Sequence, residues 1–189
     1  LAILLFAAYY TYSKAIVSYI WVGLIGGFIV ALVTVFKKEW APITVPIYAV
    51  LEGLALGGIS KLYAEMFEPG IVPQAISLTL GILIALLFAY KTKIIRATEN
   101  FKLGVFAATM GLLIVYLISY FMSVFGGTGL PIMNPANASV LSIGFSIFVI
   151  VIASLNLVMD FDFIEKGVEN GAPKYMEWYS AFRLLVTLI

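Results

Sequence analysis

The chain has 189 residues, 63% of them hydrophobic and 11% charged, with a formal net charge of +1. Soluble domains run at roughly 45–50% apolar and about 25% charged, and a mean hydropathy of +1.09 excludes a soluble globular domain. With neither cysteine nor histidine, disulfides, thiolate chemistry, soft-metal sites and the usual near-neutral pH switch are excluded too, and so small a net charge offers no field to attract nucleic acid.

A membrane-spanning helix needs about 20 consecutive, mostly apolar residues. Residues 1–12 are apolar but short, and read as the second half of a first span. Residues 16–36 make a full second span, stopped by Lys37, Lys38 and Glu39. Pro42 and Pro46 open a third, residues 43–63. Pro69-Gly70 predicts a turn, and a fourth span follows at 72–90. A basic connector leads to a fifth span at 101–125. Residues 126–137 carry Gly-Gly and Asn-Pro turn signals without charge, and the sixth span is expected at 139–159. After a polar stretch, 160–173, a seventh segment runs from Tyr175 to 189. Both ends of the chain fall inside apolar runs, so the first and last helices are expected to be truncated. The pattern predicts an all-α, polytopic transmembrane bundle of seven helices, a single transmembrane domain over 1–189, with the lipid bilayer as its first partner.

Lys and Arg set the expected orientation. The connectors after the second, fourth and sixth spans hold Lys37, Lys38, Lys91, Lys93, Arg96, Lys102, Lys166 and Lys174, whereas the other side holds Lys14 and Lys61. The richer side is expected to be cytoplasmic, which puts the N-terminus inside and the Asn137-Ala138-Ser139 sequon outside. Tyr9, Tyr10, Tyr12, Tyr19 and Trp21 read as an interfacial aromatic belt. Gly23 with Gly27, and Gly53 with Gly57, form small-xxx-small pairs that let helix backbones approach closely.

Ionisable groups inside the membrane are the informative residues, since each costs about 2.5–3.5 kcal/mol at the centre of a span. Glu52 sits mid-way along the third span with no basic residue one turn away. It must face a neighbouring helix, face a water path or carry a proton, and it is the first ion-pathway candidate. Asp160 and Asp162 close the sixth span and point about 200° apart on a helix, so they do not form one site by themselves. Asp162 has Lys166 at i+4 and reads as a solvated surface pair. Asp160 has only Asn156 one turn away, which makes Asp160 the better gate candidate and Asn156 a second pathway candidate. Arg183 lies roughly 12 Å into the last segment and must snorkel or find a partner, with Asp160, Glu177 and Glu52 available. No phosphate-binding loop, metal motif or nucleophile elbow occurs, so the chain is not expected to be an enzyme or to hold a metal or cofactor.

Two stretches are familiar. The run Asn156-Leu157-Val158-Met159-Asp160-Phe161-Asp162-Phe163-Ile164-Glu165, followed by Gly171-Ala172-Pro173-Lys174-Tyr175-Met176-Glu177-Trp178-Tyr179, resembles the Bax inhibitor-1, or transmembrane Bax inhibitor motif, family in its bacterial YccA-like branch. Glu52-Gly53-Leu54-Ala55-Leu56-Gly57 is similar to the acidic-glycine pattern of an early helix in that family. The resemblance implies a seven-helix bundle with its last helix near the centre, in the bacterial inner membrane. It implies a pH-sensitive Ca²⁺ leak, in which an aspartate ending the sixth helix shares a proton with one in the seventh and closes the cytoplasmic mouth. Asp160 matches the first of these. The second belongs near Leu184-Leu185, where this chain has no carboxylate and Arg183 lies close by. Asp162, Glu177 or a residue beyond Ile189 is left to substitute.

Ca²⁺ takes several oxygen ligands, and Glu52, Asp160, Asn156 and backbone carbonyls offer the weak, transient coordination that permeation of Ca²⁺ or other cations requires. The other reading is a membrane regulator that transports nothing and binds other membrane proteins, as a modulator of cell death, stress or proteolysis. Carboxylates facing a water path favour the first; carboxylates sealed by Arg183 and packed aromatics favour the second.

Overall fold

A computed structural model describes residues 1–14, 18–67, 70–133 and 139–189. The first residues of the expected second span, Pro69 of the expected turn and the Asn137 sequon lie outside the described residues. Among the described residues the chain forms seven α-helices and no strand. These are α1 (Ala2–Lys14), α2 (Tyr19–Phe36), α3 (Ala41–Met66), α4 (Ile71–Lys91), α5 (Glu99–Gly126), α6 (Val140–Glu169) and α7 (Tyr175–Leu188), with short 3₁₀ turns at Lys38–Trp40 and Pro131–Met133. The stretches Tyr19–Phe36, Lys38–Met66, Ile71–Lys91, Glu99–Gly126 and Val140–Glu169 are long and apolar enough to cross a membrane. In hydrocarbon every backbone N–H and C=O must be paired within the chain, so continuous apolar runs become helices.

The helix ends follow local chemistry. Thr98 caps α5 by accepting the Phe101 amide through its side chain at 3.3 Å, which satisfies one of the orphan donors of the first turn. The sixth helix corrects the sequence reading. Its expected end at Met159 is only where apolar residues give way to polar ones, and the helix runs on to Glu169. Nothing in Asp160–Lys166 breaks a helix; the stop is Gly171, whose φ of +63° suits glycine. There the Ala172 amide bonds the Gly167 carbonyl at 2.9 Å and the Gly171 amide bonds Val168 at 3.1 Å, a Schellman closure. Asp160 and Asp162 are therefore interior helix residues, not connector residues.

The contacts divide the chain into two units, residues 1–82 with 163–189, and residues 83–162. In the first unit α3 packs against α1, α2 and α7. The core is Leu4, Ala41, Val45, Tyr48, Ala49, Tyr179, Phe182 and Leu185. The glycine pairs lie at the helix crossings. Gly23 faces the Leu51 carbonyl and Ala55, Gly53 faces Leu4 and Ala7, and Gly57 faces the backbone of Ala8. At the other end of the α2–α3 crossing the Thr34 hydroxyl donates to that of Thr44 at 2.8 Å, both buried.

The second unit contains the last turns of α4, α5 and most of α6. Tyr90 packs on Phe161 with ring centroids 5.8 Å apart, and Tyr116 on Phe145 at 6.4 Å. The Leu130 amide, beyond the end of α5, donates to the Ser119 hydroxyl at 3.0 Å. Large apolar side chains stay exposed in both units, among them Phe6, Trp21, Phe88 and Phe125, as a lipid-facing surface requires.

Candidate functional site

Glu52 faces α2. It is half-buried on α3, and its carboxyl fills the space left on α2 by the missing side chain of Gly27. A Cβ on Gly27 would stand 2.8 Å from Glu52 Oε1. Among the described residues no Lys or Arg forms an ion pair with Glu52. The carboxyl is thus seated in a gap in the facing helix rather than against a cation.

Tyr48, one turn before Glu52 on α3, packs on α7. It is buried, and its ring meets Phe182 edge-on with centroids 5.0 Å apart. Phe182 lies 6.1 Å from Tyr179, which lies 6.2 Å from Phe163 at the end of α6. The Arg183 guanidinium sits over the Phe163 ring at 4.1 Å, and the Lys38 ammonium over Tyr179 at 5.1 Å. Both are cation–π distances. The Arg183 guanidinium is therefore seated on an aromatic face. Glu177 is exposed in the first turn of α7.

The second unit holds the remaining candidates. Asp160 is 4% exposed on α6. Asp162 departs from the expectation of a solvated residue. Its carboxylate pairs with Lys102 of α5 at 3.0 Å, and the two side chains are only 16% and 20% exposed. Lys102 also holds Glu99 at 3.0 Å, so one ammonium joins the start of α5 to α6. The Asn156 amide donates to the Thr109 hydroxyl at 2.9 Å and to the Ile152 carbonyl at 3.0 Å. Thr109 in turn donates to Val105 at 2.8 Å. Asn156 is accordingly engaged in a polar link between α5 and α6.

The structure thus joins Glu52 to Gly27 of α2, Asp162 to Lys102, and Asn156 to Thr109. Gly27, Lys102 and Thr109 were not singled out as partners from the sequence. Among the described residues no group of three or more acidic side chains is arranged to hold a metal ion. A family model described as Bax inhibitor 1 like matches residues 1–189, the whole chain. No curated protein and no solved structure matches it.

Proposed function

The chain belongs to the Bax inhibitor 1 like family, and from that premise we propose that it is a passive cation leak of the bacterial inner membrane, with Ca²⁺ as the permeant ion and Glu52 on its path. The Glu52 carboxyl carries the reading. A carboxyl placed mid-way along a 26-residue apolar helix, half-buried and without a Lys or Arg ion pair among the described residues, keeps its oxygens for a passing cation. A carboxylate locked to Arg or Lys would not. Ca²⁺ accepts carboxylate, carbonyl and water oxygens in flexible number, and conduction needs binding weak enough to release. The function requires no covalent step, so the protein acts as a non-enzymatic membrane protein. Its Lys- and Arg-rich ends are cytoplasmic in this reading, with the N-terminus inside.

The 4% exposure of Asp160 supports its place as the gate residue, because a polar group withdrawn from water depends on the partners that a helix movement would change. Asp162, tied to Lys102, is the weaker of the two carboxylates for that role. Arg183 and the rings beneath it support α7 as the moving element rather than as an ion ligand. The test is Ca²⁺ entry into dye-loaded proteoliposomes at acidic and neutral pH. Wild-type flux that depends on pH is expected, with Glu52→Gln lowering conduction and Asp160→Asn altering the pH dependence. Flux no greater than that of empty liposomes at either pH would overturn the leak and favour a regulator that binds other membrane proteins.

A further inference from the structure

We propose that the turn between α2 and α3, residues Lys37 to Trp40, binds the headgroup of an anionic phospholipid, with the ammonium groups of Lys37 and Lys38 drawing its phosphate and Trp40 at the lipid interface. Two helices of membrane-crossing length meet here: α2 stops at Phe36 and α3 starts at Ala41. The turn therefore lies where an apolar run gives way to water. Around it Phe36, Trp40 and Ile43 are exposed, a rim of large apolar side chains suited to hydrocarbon. Trp40 is 52% exposed and carries an indole N–H as well, the combination that settles at headgroup depth.

Both ammonium groups at this turn are placed by rings. Lys37 Nζ lies over the Trp40 ring at 4.5 Å, and Lys38 Nζ over that of Tyr179 on α7 at 5.1 Å. Both lysines are exposed, and among the described residues neither forms an ion pair, the exposed neighbour Glu39 included. Lys61 and Lys102 differ, since Glu65 holds the first and Glu99 and Asp162 the second. A ring takes one side of an ammonium and leaves N–H donors for anionic oxygens. A lysine already set on a ring also loses less freedom when an anion binds. Phosphate is the complement in charge. Lipid is its source, because the exposed Phe36 and Trp40 beside these cations call for acyl chains rather than water. Since Lys38 stands on Tyr179, a headgroup drawn to it acts on a residue of α7 too. The site stands on these contacts whether or not the protein conducts ions.

The experiment is quenching of Trp40 fluorescence by brominated lipid. Full-chain protein carrying Trp21→Phe and Trp178→Phe keeps Trp40 as its single tryptophan. It is reconstituted into phosphatidylcholine vesicles that hold either brominated phosphatidylglycerol or brominated phosphatidylcholine at one mole fraction. Stronger quenching by the anionic lipid is expected, and the ratio gives its relative affinity. A displaced indole alters quenching by both lipids alike and leaves that ratio as it was. Lys37→Gln and Lys38→Gln should each lower the relative affinity about fivefold, the effect of one basic residue at an anionic lipid surface. Glu39→Gln should raise it. Lys61→Gln removes a positive charge as well, yet should leave it unchanged. Equal quenching by the two lipids overturns the site, as does a preference untouched by Lys37→Gln and Lys38→Gln together. A loss from Lys61→Gln equal to theirs would show attraction to net charge only, and would overturn it too. Inorganic phosphate at matched ionic strength should not displace the lipid; displacement would assign the turn to free phosphate instead. Should the tryptophan substitutions prevent folding, native mass spectrometry of retained phosphatidylglycerol and phosphatidylcholine, with the same lysine and glutamate variants, takes the place of quenching and is read the same way.

Discussion

Gly27 and Glu52 occupy one space between them: the side chain that α2 lacks is replaced there by the carboxyl that α3 supplies. A small residue in one apolar helix thus accommodates a polar group from the next. Alanine at this position meets the far end of a flexible side chain and no backbone. Gly27→Ala is expected to fold with a thermal stability in detergent within about 1 kcal/mol of wild type, while Ca²⁺ flux changes as the carboxyl is displaced. Unchanged flux in a well-folded Gly27→Ala protein would remove Glu52 from the ion path in this conformation.

Gly23 and Gly57 should behave differently, because a methyl there meets backbone. Gly23 faces the Leu51 carbonyl, and Gly57 the Ala8 carbonyl. The helices would have to separate, and overpacking of this kind costs about 1–3 kcal/mol. Thermal unfolding of Gly23→Ala and Gly57→Ala should show a clear loss of stability where Gly27→Ala shows little. Equal midpoints for all three would mean the crossings are looser than described.

Lys102 bridges Glu99 and Asp162 with both distances at 3.0 Å. Its side chain is 20% exposed and that of Asp162 16%, between the surface case of at most about 1 kcal/mol and the buried case of about 3–5. Lys102→Met should therefore cost about 1–3 kcal/mol, chiefly by removing its ion pair with the half-sheltered Asp162. Adding Asp162→Leu should restore part of the loss. A double variant less stable than Lys102→Met alone would show that Asp162 has a more important partner than Lys102.

The Asn156–Thr109 bond spans α5 and α6 inside the apolar region. Hydrogen bonds between membrane helices average only about 0.6 kcal/mol in double-mutant cycles. Asn156→Leu with Thr109→Val should give a coupling energy of that order, with ion flux retained. A collapse of flux in Thr109→Val, with stability intact, would return Asn156 to the ion pathway.

Some of the site was readable before any tertiary contact was known. Glu52 declares itself because a lone carboxylate in an apolar run is costly and needs a reason. The glycine pairs declare themselves because their spacing puts both on one helix face. Asp162 shows the limit of such reading. Its nearest cation in sequence is Lys166, which suggested a solvated pair, yet Lys102 of another helix holds it away from water. The aromatic face beneath the Arg183 guanidinium is likewise a contact between separate helices that the sequence does not show.

The sequence alone determined the solvent, the helical class and the approximate reach of each long helix. Lipid hydrates no backbone, so a long apolar run has one available structure. It also determined which residues share a face of one helix, Tyr48 and Glu52 among them, because 3.6 residues per turn is a property of the backbone. Only the tertiary structure decided which faces meet. Gly27 opposite Glu52, Phe182 against Tyr48 and Lys102 beside Asp162 all depend on the rotation and crossing of separate helices. In a membrane the outer faces are as apolar as the inner ones, so no hydrophobic stripe specifies that rotation. It is settled by close packing and by the few polar groups that must find one another.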